Sequence, residues 1–576
     1  YNNRMTGGLM QLVGKGAQDQ LVIGNPSFTH FRSVYKRHTD FAMEHFRLVF
    51  KTTNLNLPQS GSLTLRAKVE RYAQLLHDCY LTLTLPNIYS PVSPITAGTH
   101  SNVNANATAI GYEFEWIKNI GYNMINYVSI LVNGQEIVRH TGEWMKLYST
   151  LKFDANKKAV LNEMMGNVPE LYDPANAYDR VNQYPHAISS STKYAEPSIP
   201  ARTLRIPLHF WFCENIGAAL PLIALQYSEV EIVVELKNIY QLFTVLDVRD
   251  ASSTFGTRIA PDSSTPIFTI NRFLSPPLYS NSTAPVSVQN PNLTTWKLDP
   301  FIEANFIFLS DAEMVHIAKT EHSFILNQVD SVQTYGQYGA SNDLELTMKN
   351  LCTRVVWVGQ RSDRALQNDF DNYTNWVDPQ KPPLDSTTLV NMTPWYSSGI
   401  AQGTAVSQRD ILLESAVILD GKERFSTKST TFFSNLQNYK HHTGKAVTDI
   451  PGVYTYSFAI DHHTTQPSGH INGSMFNKTI LRNTYVQPPL TTPGATTTTV
   501  CVLKSTANNP NPTVILNPNA TDPDTGKPLY NPEQLVSIIR KSDAQTLQYS
   551  YNVRAYVESY NYLRVVGGIA NVVFSS

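Results

Sequence analysis

The chain has 576 residues, 42% of them hydrophobic and 11% aromatic, which is enough apolar surface to build more than one core and too much for a disordered polypeptide. Lys and Arg number 45 against 46 Asp and Glu, so the formal charge is −1, and only 16% of residues are charged. That balance excludes the basic footprint of a genome-binding protein.

Reading from the N-terminus, Gly7 to Arg37 mixes glycine turns with isolated apolar residues, so residues 1–40 are expected to form an arm outside any sandwich. Short β-branched or aromatic segments follow, bounded by Gly, Pro or Asn: Ser62 to Val69, Tyr80 to Leu85 and Val230 to Leu236 in the first half, Val453 to Ile460 and Thr546 to Val557 in the second. Ser62 to Val69 and Thr546 to Val557 alternate apolar and polar residues, as half-buried antiparallel strands do. Helical periodicity is confined to Gly142 to Phe153 and Ser310 to Lys319; in the second, Ser310 or Asp311 supplies an N-cap and Lys319 suits the C-terminal end of the dipole. Long polar stretches run from Pro86 to Ala109, Asp247 to Pro300, Asn372 to Gln408 and Thr491 to Pro532, and the second of these reads as the boundary between halves.

One echo links the halves. Ser129 to Glu136 and Ala416 to Glu423 each run an apolar strand into Asn133-Gly134 or Asp420-Gly421, dipeptides suited to the positive φ angles of a type I′ hairpin turn. Gly134 and Gly421 are 287 residues apart, about half the chain, the spacing of two tandem copies of one β fold. The reading is therefore all-β: an arm over 1–40, a first sandwich over 41–245, a linker or extended loop over 246–300 and a second sandwich over 301–576.

Catalytic signatures are missing from the sequence. No Gly-Lys pair is followed by the Ser or Thr of a phosphate loop, and there is neither a GxSxG elbow nor an HExxH helix. Asp522 to Glu533 has the outline of a calcium loop but carries Lys527 where the sharp turn needs Gly. The pairs His441-His442 and His462-His463 would point to opposite faces of a strand and so do not form a chelate. Cys79, Cys213, Cys352 and Cys501 are too widely spaced for a CxxC site or a dense disulfide framework, and they suit a reducing compartment. No apolar run reaches the roughly 18 residues of a membrane span, and the first residues do not lead into a secretory signal. The expected catalytic, cofactor and metal sites are none. Among the Asn-x-Ser/Thr sequons, Asn106, Asn281 and Asn391 in the polar loops are the candidate glycosylation acceptors.

Several stretches, in order along nearly the whole chain, closely resemble the major capsid proteins of nucleocytoplasmic large DNA viruses: Gly7 to Val13, Gly16 to Asp19 and Val34 to Thr39 at the start; Phe114 to Gly121, Gly142 to Trp144 and Pro207 to Cys213 in the middle; His441 to Thr443, Pro467 to Gly469, Tyr560 to Arg564 and Gly567-Gly568 toward the end. After Asn472-Gly473-Ser474 the chain has Met475 where that family usually has Arg, so no role of that Arg carries over. The resemblance implies a double jelly roll, two tandem eight-stranded antiparallel sandwiches with short helices and long loops. It further implies a non-enzymatic, homotrimeric, pseudo-hexagonal capsomer of an icosahedral shell. Its partners would be neighbouring capsomers, minor capsid proteins and an internal viral membrane, without direct nucleic-acid contact, and it would be made in the host cytoplasm and reside in the virion capsid. The competing reading is a β-sandwich that binds or cleaves glycans, with 30 Tyr and 7 Trp available to line a sugar site.

Overall fold

The computed structural model describes residues 7–52, 55–94, 109–180, 183–188, 195–246, 258–261, 268–277, 298–376, 379, 409–444, 446–462, 464, 466–487, 497–503, 514–515, 535–542 and 549–574. The first sandwich is built from two antiparallel sheets. One orders the strands Phe41–Val49, Phe301–Leu309 and Leu75–Leu85, with Arg202–Pro207 and Leu220–Pro221 on the far edge of Leu75–Leu85. The other orders Ser62–Lys68, Val230–Lys237, Ile125–Val132 and Gln135–Thr141. Alternation does what it should here: Leu65, Ala67, Leu81, Leu83, Val128, Ile130, Ile232 and Val234 point inward and form one continuous core.

The second sandwich repeats the plan. Its larger sheet orders His322–Gln337, Tyr551–Val566, Leu351–Arg361 and Val453–Ser457. The facing sheet orders Asn342–Leu346, Thr479–Tyr485 and Leu412–Leu419, the last paired with the short strands Lys422–Glu423 and Lys428–Ser429. Trp357, Val355, Phe433, Tyr454, Leu481 and Tyr551 fill the space between them.

Both echoed hairpins sit at matching places. Asn133 and Gly134 have φ of 52° and 79° between paired strands, and Asp420 and Gly421 have φ of 46° and 81° between theirs. Positive φ at both central residues twists the turn in the same sense as its strands, which is why Asn-Gly and Asp-Gly serve.

The structure differs from the sequence reading at one boundary. Strand Phe301–Leu309, read as the start of the second sandwich, pairs with Phe41–Val49 and with Leu75–Leu85 in the first. Its apolar residues Ile302, Ala304 and Phe306 complete the first core, so the chain leaves that sandwich only after Leu309. Helix Asp311–Lys319 follows at once, with Ser310 at its N-cap. Helix Gly142–Lys152 is where periodicity places it, but a second helix, Ala155–Met165, adjoins it unannounced.

Candidate functional site at the lobe junction

Helix Gly142–Lys152 leaves the first sandwich and is buried between the two, with Met145 in the first core and the opposite face against the second. Thr141 caps it, its Oγ1 accepting from the Trp144 N–H at 3.1 Å. Gly142 lies so close to the Tyr122 and Ile125 carbonyls that a Cβ would stand 2.2 and 2.3 Å from them, so only glycine lets the helix start there. Trp144, Leu147, Tyr148 and Leu151, at the i, i+3, i+4, i+7 spacing of one helix face, form a separate cluster with Val356, Val358, Tyr373, Ile450, Val453 and Tyr556 of the second sandwich. The far end is held by a loop of the second sandwich, where the Gly444 N–H donates to the Leu151 carbonyl at 2.9 Å and the Thr443 hydroxyl to the Lys152 carbonyl.

Charges are paired along this buried helix. Glu143 accepts from Tyr373 at 2.6 Å, from the Tyr556 hydroxyl, and from Arg554 at 2.7 Å. Burial would raise its carboxyl, but Arg554, Lys146 and the two hydroxyls outweigh burial and hold it below the usual carboxylate range. Lys146, fully buried, reaches Asp371 at 2.5 Å, and Asp371 also accepts from Asn119 and Asn123. Lys152 pairs with Glu214 at 2.7 Å, and Glu214 in turn contacts His209 at 3.0 Å. Arg354 and Glu558, both buried, pair at 2.5 Å beneath the rings of Trp144 and Tyr148.

These last groups line a cleft of about 270 Å³ between the sandwiches, with Trp211 and His140 among its walls. Its carboxylates, Glu214 and Glu558, are each engaged by cations, an arrangement that builds a joint rather than an acid–base pair. Burial, reinforced by His209, lowers His140 to about 4. An unfolded His140 takes up a proton as pH falls below its ordinary value of 6.5, while the folded one stays neutral until about 4. Stability from this residue is therefore complete above pH 6.5 and is lost as pH falls through the window, by about 1.4 kcal/mol per pH unit. Urea titrations between pH 7 and 5 on wild type and His140→Gln should show a shallower pH dependence in the variant; identical slopes would remove His140 from the account.

The sequence-derived sites distribute as follows. Asn133, Gly134, Asp420 and Gly421 form the two hairpin turns described above, remote from the junction in chain position. Asn106, Asn281 and Asn391, together with Asp522 and His463, lie outside the described residues. Of the other sequons, Asn372 is buried, while Asn472 and Asn477 are exposed. His442 and His462 stack with ring centroids 5.1 Å apart, and among the described residues no three His, Cys, Asp or Glu side chains gather as a metal site. Trp116, Trp144, Trp211 and Phe212, within the stretches that carry the resemblance, are all buried. Sequence reading missed Lys146, Asp371 and Glu143, whose signal was one charged residue at a time inside an apolar helix or a polar loop.

Residues 29–273 match the family described as major capsid protein N-terminus, and residues 313–515 match the family described as large eukaryotic DNA virus major capsid protein. The chain is 26% identical over 537 residues to a major capsid protein of Phaeocystis pouchetii virus, covering 83% of this chain and 92% of that one. It is 25% identical over 488 residues to that of Paramecium bursaria Chlorella virus 1, covering 84% and 88%. Among solved structures, the PBCV-1 virus capsid quasi-atomic model superposes with a TM-score of 0.57 at 18% identity over 95% of this chain and all of that one. The Faustovirus major capsid protein does so with a TM-score of 0.57 at 12% identity, over 94% and 93%. At such identities the structures speak for the fold, and that fold is the double jelly roll.

Proposed function

Because the chain belongs to the major capsid proteins of large eukaryotic DNA viruses, and is thus a structural component of the virion capsid, we propose that three copies associate into a pseudo-hexagonal capsomer. The observation that carries this reading is the junction: two like-built sandwiches are held as one block by a buried helix, so a threefold assembly of the chain presents six similar lobes. A near-sixfold tile fills an icosahedral facet with repeated contacts while using only three chains. Long loops can vary on its outer side without disturbing the sandwiches. Obligate interfaces of this kind usually bury more than about 2,000 Å². Analytical ultracentrifugation of the purified protein at micromolar concentration should give the mass of a trimer, and a persistent monomer would reject the reading.

The N-terminal arm supplies the contact beneath the tile, toward neighbouring capsomers and minor capsid proteins. Supporting this, every residue from Gly7 to Asp40 is exposed, including Leu12, Val13, Leu21, Val22, Phe31 and Tyr35, an apolar set that gains by being covered. Near-neutral charge agrees with a shell that does not hold the genome directly. Deleting residues 1–40 should leave the trimer intact in solution and abolish closed particles in cells producing the full shell; complete shells from the deleted chain would remove the arm from assembly.

A further inference from the structure

Three side chains at the base of the junction meet more closely than an ordinary ion pair requires. Lys146 Nζ lies 3.1 Å from Asn123 Oδ1 and 2.5 Å from Asp371 Oδ1. Asn123 Nδ2 donates to the same Asp371 oxygen at 2.8 Å. One carboxylate oxygen thus bridges an amine and the nitrogen of a carboxamide. A C=O bond is about 1.2 Å long, so Nζ is at most about 4.3 Å from the Asn123 carbonyl carbon, within a small side-chain movement of attack distance.

The surroundings favour reaction over exchange with solvent. Lys146 is 0% and Asn123 4% exposed, and the Tyr373 ring stands 5.2 Å from Nζ. Water, the competing nucleophile, is kept away. The remaining contacts fix the reactants: Lys146 also donates to the Phe370 carbonyl at 3.2 Å, Asn123 to the Lys118 carbonyl at 2.7 Å, and Asn119 to the other Asp371 oxygen. Burial would raise the Asp371 carboxyl, but Lys146 and the two amides outweigh it and hold it below the usual carboxylate range, so the group begins as the carboxylate and carries the Lys146 proton only transiently, while the amine attacks.

We propose that Lys146 and Asn123 join in an autocatalytic amide cross-link, with Asp371 as the proton-transfer residue. The Lys146 ammonium gives a proton to Asp371, and the freed amine attacks the Asn123 carbonyl carbon, forming the C–N bond and placing the electron pair on Oδ1. The C–Nδ2 bond then breaks. The departing nitrogen takes one proton from the attacking nitrogen and one back from Asp371, and leaves as ammonium. Asp371 ends as the carboxylate it began as, and no oxidant or cofactor enters. Because Asn123 and Lys146 belong to the first sandwich and Asp371 to a loop of the second, the bond forms only after the lobes have docked.

Intact-mass measurement of the purified full-length chain tests this. The wild type should read about 17 Da below its sequence mass, the loss of one ammonia. Proteolysis should give a branched peptide joining Asn123 to Lys146, with tryptic cleavage after Lys146 blocked. Asp371→Asn and Lys146→Arg should each restore the full mass. A wild-type chain of full mass that is cleaved normally after Lys146 overturns the proposal, whether or not the variants fold. Loss of ammonia that leaves Lys146 free also overturns it, since a succinimide at Asn123 has the same mass. A cross-link that persists in Asp371→Asn strips Asp371 of its role.

Discussion

Glu143→Ala should destabilise the protein by up to about 3 kcal/mol, because it deprives the partly buried Arg554 of its carboxylate and leaves the buried Tyr373 and Tyr556 hydroxyls without their acceptor. The damage should fall on the joint rather than on either core. Glu143 sits at the first turn of the helix that enters the second sandwich, and its partners Tyr373, Arg554 and Tyr556 all belong to that sandwich. Calorimetry is therefore expected to resolve the wild-type unfolding into two transitions in the variant, one per lobe. Glu143→Gln keeps the size and some of the hydrogen bonding and should lose less. A variant as stable as wild type, melting in one step, would show that the lobes are joined by something else.

The second large effect is expected from Trp144→Ala. Trp144 is buried, its ring lies 5.6 Å from that of Tyr556, and the Arg354 guanidinium stands 5.4 Å above it. Truncating a buried tryptophan typically costs about 3 to 5 kcal/mol through lost contact and the cavity left behind. Here the cavity opens between lobes, so trimer yield should fall with stability. A control of similar size within one core, Trp357→Ala, should destabilise the second lobe by a comparable amount while leaving the helix seated. If both variants lose trimer and stability in the same proportion, the junction has no special part in assembly.

The all-β class, the tandem plan and both hairpins could be read from sequence because their signals are local. Alternation in Ser62–Lys68 and the Asn133-Gly134 and Asp420-Gly421 turns depend on a few adjacent residues. The strand Phe301–Leu309 was assigned to the wrong sandwich because sheet membership is decided by partners far away in the chain, here Phe41–Val49 and Leu75–Leu85. Helix Ala155–Met165 was hidden by its own buried face, Lys158, Leu161 and Met165, where a lysine takes a core position. That lysine is accommodated by Ser149 and Thr150 hydroxyls at 3.0 and 3.1 Å, partners that exist only once the preceding helix is in place. The junction was invisible for the same reason. Lys146 and Asp371 are 225 residues apart, and nothing near either announces the other.

Two sandwiches that behave as one rigid block and trimerise should be visible directly in electron microscopy images of the purified protein. Class averages should show a threefold particle with six lobes in a near-hexagonal outline, the two lobes of each chain at a constant angle. Averages dominated by single chains, or by lobe pairs splayed at varying angles, would contradict it.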